Sequence, residues 1–253
     1  MLMATVEAGV ASTLREELAS SKEAPSRGSP TGATTWRLPA AILRPLPGGR
    51  GHPSVSPEAE SGGMRLGIAH HFGWAVAVTA SAGHKVVDRR RIELIEPGVP
   101  AAPIHNEGGP HVLHRSAEPL DDNALAALVA DVRASVVRAA SAALDGLATA
   151  LPEPIVSMSL RAWPADFPED IAVQRRVPYE SRADSVMYCE ELAALAQERG
   201  WVVHLYNSND VEAEAVRLLG ERADEVLHGP RATFGAPWSK DHRMALAATI
   251  VVA

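Results

Sequence analysis

The chain has 253 residues, of which 46% are hydrophobic and 22% charged, with a formal net charge of −7 at pH 7. That is ample apolar material for one core, and the acidic balance argues against a surface that grips duplex phosphates along its whole length. The single cysteine, Cys189, excludes an internal disulfide and any multi-cysteine zinc site.

No apolar run approaches the ~20 residues needed to span a bilayer. Glu7, Glu16 and Glu17 interrupt the N-terminus, so no secretory signal is read there. The expectation is a soluble cytoplasmic protein with no membrane partner.

Residues 1–63 differ in composition from everything after them. Ser26-Arg-Gly-Ser-Pro-Thr-Gly, Pro45-Leu-Pro-Gly-Gly and Pro53-Ser-Val-Ser-Pro carry turn formers without a sustained apolar period, which predicts disorder. Met64 stands immediately before the first strand pattern, and translation is expected to begin there. The rival expectation is a flexible tail with a partner. Residues 64–253 are read as one domain.

Leu66 and Ile68 start an apolar run that stops at Gly73. Trp74, Val76 and Val78 alternate with small residues. Ser81-Ala-Gly-His84 reads as a turn, and Val86, Val87, Ile92 and Leu94 make a third run. Period-two alternation broken by glycine-containing turns predicts a three-strand antiparallel meander. On the third strand, Asp88-Arg89-Arg90-Arg91 reads as an edge-strand guard against aggregation.

Pro97 to Pro119 is a long proline- and glycine-rich loop carrying His105, Glu107, His111 and His114. Asp121-Asp122-Asn123 supplies helix-capping chemistry, and the apolar spacing from Leu125 to Leu147 predicts an amphipathic helix over 122–149. The uncharged run Ile155-Val-Ser-Met-Ser-Leu reads as a central strand. An irregular stretch runs from Trp163 through Arg182.

Val186, Cys189, Leu192 and Leu195 mark the next helix, stopped by Gly200. Trp201-Val-Val-His-Leu-Tyr is a strand. Asp210 opens a helix that Gly220 ends, a loop runs from Gly229 to Trp238, and Ser239 opens the last helix. Right-handed crossovers then place both later strands parallel to the first, in a mixed five-stranded α/β sheet.

This order, with Leu66-Gly-Ile at the front and Lys240-Asp-His-Arg-Met-Ala-Leu-Ala-Ala at the back, resembles the ribonuclease H-like fold, in its Holliday-junction resolvase branch. The chain is also similar to an actinobacterial family that implies no activity. The resemblance implies a three-strand meander plus two parallel strands, with helices on both faces. In nuclease members, acids on the first strand, the fourth strand and the last helix hold two divalent metals. The matching positions here are Ala69, then Ser157, Ser159 or Arg161, and Asp241. Only the last is acidic, so the metal-binding acids are largely missing.

The strand ends of such a fold put His70, Arg161 and Asp241 around one cleft. His70 and His71 with Asp241 or His242 have the ligand chemistry for a softer divalent metal, against a bland pair of histidines in a turn. Asp241 in a first helical turn also suits the helix dipole alone. Arg161, Arg175, Arg176 and Arg182 with Tyr179 have the forks and the ring to recognise phosphate and stack on a base. The alternative is that they pair with Glu169, Asp170, Glu180 and Asp184. His105, His111 and His114 with Glu107 read as a metal clip or a polar loop, and Cys189 as inert core.

Two functions follow as expectations. One is a non-catalytic ribonuclease H-like module binding a phosphorylated or nucleic-acid ligand in an arginine-lined cleft. The other is a metal-dependent hydrolase or phosphotransferase using His70, Asp241 and His242. A protein–protein interaction scaffold, with the loops as its interface, is a third.

Overall fold

The computed structural model describes residues 62–109 and 118–251. The expectations for the N-terminal segment through residue 61, and for His111 and His114, lie outside the described residues.

Five strands form one sheet in the order β3-β2-β1-β4-β5. β1 (Met64–His70), β2 (Trp74–Ala80) and β3 (Val86–Glu93) are the antiparallel meander. Gly73, at φ 82°, supplies the left-handed residue between β1 and β2. The next reversal closes with Ser81 N–H donating to the Lys85 carbonyl at 3.0 Å.

β4 (Ile155–Arg161) lies parallel to β1, and β5 (Val202–Tyr206) lies parallel to β4. The helices are α1 (Asp122–Ala150), α2 (Ile171–Gln174), α3 (Glu180–Glu198), α4 (Val211–Leu219), α5 (Ala223–His228), α6 (Pro230–Phe234) and α7 (Lys240–Val251). This strand order and direction, with helices on both faces, is the ribonuclease H-like fold.

Strand alternation divides the core in two. Leu66, Ile68, Ala77, Met158 and Leu160 pack beneath α1 and α3. Ala69, Val76, Val78 and Tyr206 pack beneath α4, α5 and α7 on the opposite face. α7 comes so close to β1 that a side-chain carbon at Gly67 would collide with the Ala245 carbonyl.

Local chemistry sets the helix ends. Asp121 Oδ1 accepts from Ala124 N–H at 2.8 Å and caps α1, while Gly200 and Gly220 take positive φ where α3 and α4 stop. Asp210 makes no such cap. Its carboxylate accepts from the Asn207 amide at 2.6 Å instead.

The irregular stretch expected from Trp163 to Arg182 contains α2 and the start of α3, which begins six residues before Val186. The loop expected from Gly229 carries α6, and the region just before it carries α5. On the edge strand β3, Arg90 pairs with Asp88 at 2.7 Å and Arg91 with Glu93 at 2.8 Å. Among the described residues no helix is long and apolar enough to cross a membrane.

Candidate functional site

The carboxyl ends of β1, β4 and β5 open into a cleft of about 630 Å³. Open α/β sheets bind ligands at this end of their parallel strands, and the volume suits a small molecule. The β1 end contributes His70, His71 and Phe72. The β4 end contributes Arg161 and Trp163, and the turn after β5 contributes Asn207, Ser208 and Asn209. The opposite wall is the first half of α3, with Ser181, Arg182, Ser185 and Cys189.

His70 is buried, with Nε2 2.8 Å from Ser185 Oγ and 3.7 Å from Cys189 Sγ. Burial, followed by the nearby charges of Arg161 and His71, pushes its pKa down to about 3. It is therefore a neutral imidazole that ties the end of β1 to α3. Burial pushes the Cys189 thiol up to about 12, and its S–H points at the Arg161 carbonyl at 3.5 Å. A thiol so protonated is no nucleophile.

His71 also lines the cleft, but its partners lie on the other side of the sheet. Its Nε2 is 3.2 Å from Asp241 Oδ2, and its ring stacks on Trp74 with centroids 4.2 Å apart. The Arg91 guanidinium stands 4.1 Å from the Trp74 ring centre. Asp241 thus reaches the cleft only through His71. His242 Nδ1 accepts from Ser239 N–H at 3.2 Å and lies 2.8 Å from its hydroxyl, which uses that imidazole at the opening of α7. Burial and the Arg89 charge lower its pKa.

Arg161 and Arg182 face the cleft. Among the described residues no carboxylate lines it. Arg161 Nε and the indole Nε1 of Trp163 are buried donors without an acceptor among the described residues. Arg175 and Arg176 border a separate, shallower depression with Gly108, Pro119 and Asp122. Arg175 is fully engaged there, donating to the Gly108 and Leu120 carbonyls at 3.0 and 2.7 Å and to Asp122 at 2.6 Å.

Tyr179 sits edge-on to Phe167 at 5.7 Å, outside the cleft. Asp170 and Asp184, two acids considered as arginine partners, bind backbone instead. Asp170 caps α2 through Ala172 N–H at 2.8 Å. Asp184 accepts from Ile104 and His105 N–H at 3.1 and 2.9 Å, holding the π-helical turn Ile104–Gly108. Phe72, Trp163 and Asn209 line the cleft as well. The turn placing Phe72 and Asn209 just past strand ends was the available signal for them.

The two divalent metals of ribonuclease H-like nucleases do not fit these residues. Ala69 is buried, Ser159 and Arg161 bring no carboxylate, and Asp241 is taken by His71. Among the described residues no group of three or more His, Cys, Asp or Glu side chains converges on one point.

No protein-family model and no curated protein matches the chain. Among solved structures, it aligns with RuvC of T. thermophilus in complex with a Holliday junction substrate. That alignment has 13% identity and a TM-score of 0.38, covering 75% of this chain and 91% of that one.

Proposed function

We propose that the chain is a non-catalytic binding module whose cleft takes a phosphate-bearing ligand. One observation carries this reading: in a chain of net charge −7, the cleft holds Arg161 and Arg182 with no carboxylate among its described lining residues. Guanidinium forks without an acidic partner suit the oxygens of a phosphate.

Two further features support it. The buried N–H groups of Arg161 and Trp163 lack acceptors among the described residues, and a buried donor left unpaired is costly, so a ligand oxygen would gain by supplying an acceptor. Ser181 and Arg182 also belong to the first turn of the 19-residue helix α3, whose N-terminal dipole favours an anion. The binding reading, rather than hydrolysis, is favoured because Ala69, Ser159 and Arg161 stand where metal-holding acids would be needed.

Titration calorimetry at low salt with inorganic phosphate and ribose 5-phosphate tests this. Anisotropy with short single-stranded, duplex and branched DNA extends the panel. Binding that weakens as salt rises, and that drops more than about tenfold in Arg161→Ala and in the exposed-site variant Arg182→Ala, is expected. Absence of binding to every member at low salt overturns it. Release of phosphate from an ester by the purified protein overturns the non-catalytic half.

A further inference from the structure

We infer that the ligand of this cleft is a mononucleotide, with its phosphate at Arg161 and Arg182 and its base laid against Phe72. The inference rests on the phosphate-binding reading above and adds a second recognition element to it.

Phe72 stands two residues past the end of β1, lines the same cleft as the two arginines, and leaves 41% of its surface exposed. The Phe72 ring meets the His105 ring only at a tilt, with centroids 6.5 Å apart, so no stacked partner among the described residues covers its face. A flat heterocycle would remove that apolar surface from water, and every nucleobase has a face to offer.

Asn209 lies on the same rim. Its backbone N–H is taken by Asn207 at 3.0 Å, while its side-chain amide has no partner among the described residues. An amide both donates and accepts, which matches the mixed edge of a base. Asn207, by contrast, is spent on Asp210 and on Asn209 itself. The cleft therefore offers cations, a ring and one unspent amide, which correspond to the phosphate, the face and the edge of a nucleotide.

Size and charge separate a mononucleotide from a nucleic-acid strand. A cleft of about 630 Å³ is of small-molecule size. A strand needs a basic track for successive phosphates. Two arginines in the neighbouring depression do not make one: Arg175 is bound to Asp122, which leaves Arg176 as a single cation there without an acidic partner among the described residues.

Calorimetry with ribose 5-phosphate, adenosine and adenosine 5′-monophosphate tests the inference on the intact chain. The monophosphate is expected to bind roughly 5- to 100-fold more tightly than ribose 5-phosphate, the span that one stacked base supplies. In Phe72→Ala that ratio is expected to collapse towards one. Because Phe72 is exposed, circular dichroism of this variant should match the parent.

If ribose 5-phosphate binds and the base adds nothing, the mononucleotide is wrong and the phosphate cleft stands. If no phosphate compound binds, both fall together. If a 12-nucleotide single strand binds far more tightly than the monophosphate, the occupant is a strand and the inference is overturned.

Discussion

His70 and His71 are neighbours in sequence yet anchor opposite faces of the sheet, His70 to Ser185 on α3 at 2.8 Å and His71 to Asp241 on α7 at 3.2 Å. Alternation along a strand sends consecutive side chains to opposite sides. The pair therefore does not act as one bidentate unit. It clamps the end of β1 between the two helical layers, with the cleft opening beside it.

The buried His70 makes stability depend on pH with a definite sign. Its folded-state pKa is about 3, below that of an unfolded histidine. Between those values the unfolded chain binds the proton and the folded chain does not, so stability falls as pH drops from about 6.5 to 3. Because Asp184 titrates in the opposite sense over the same range, the His70 loss is read as a difference between two proteins. Relative to the parent, His70→Gln, which retains a polar group for Ser185, should gain stability in urea on going from pH 7 to pH 5.

Asp184 works in the reverse direction. Burial pushes its carboxyl up to about 6 despite two backbone N–H donors. Between about 3.8 and 6 the folded state holds the proton more tightly, so this group favours folding as pH falls and loses that contribution as pH rises through 6. Asp184→Ala removes both the titration and the acceptors of Ile104 and His105 N–H. It should cost about 2–4 kcal/mol in urea unfolding. Hydrogen exchange should show faster exchange at Ile104 and His105.

Arg175 is expected to act as a structural tie. Its guanidinium holds two carbonyls and Asp122, joining α2 to the segment that precedes α1. Arg175→Ala should lower stability by about 1–3 kcal/mol, since it strands acceptors as well as an ion pair. Phosphate affinity measured beside Arg182→Ala separates the two roles. A loss of affinity in Arg175→Ala as large as in Arg182→Ala would show that the tie also serves the ligand.

Much of the fold was legible because its signals are local. Gly73 and the Ser81–His84 turn mark the meander, Asp121 marks the start of α1, and Gly200 and Gly220 mark two helix ends. The start of α3 was hidden because two of its three buried positions before Val186 are Glu180 and Asp184, which an apolar period does not count, and the third, Ala183, is small. α5 buries only Val226 and Leu227, and α6 buries none of its residues, so neither has a stripe to read.

The cleft was legible as a place but not in its membership. The partner of Arg175 lies 53 residues upstream and that of His71 lies 170 residues downstream, distances at which sequence proximity says nothing. Asp170 and Asp184, close to Arg175 and Arg182 in sequence, turned to backbone N–H groups instead, because a helix start or a buried turn leaves donors that a carboxylate satisfies well.

The close approach of α7 to β1 gives the sharpest test of the architecture. Gly67 pairs with Val78 and Ser159 in the middle of the sheet, and the space above it is filled by the Ala245 carbonyl. That obstacle is backbone within a helix, so it does not swing aside as a side chain would. Gly67→Ala must displace α7, and overpacking of this kind costs about 1–3 kcal/mol. Because α7 carries Asp241, the shift should also disturb the His71 contact at the cleft mouth. The expected result is a lower urea midpoint together with a changed His71 imidazole NMR signal. A Gly67→Ala protein with the parent's midpoint would mean that α7 does not lie on β1 in this way.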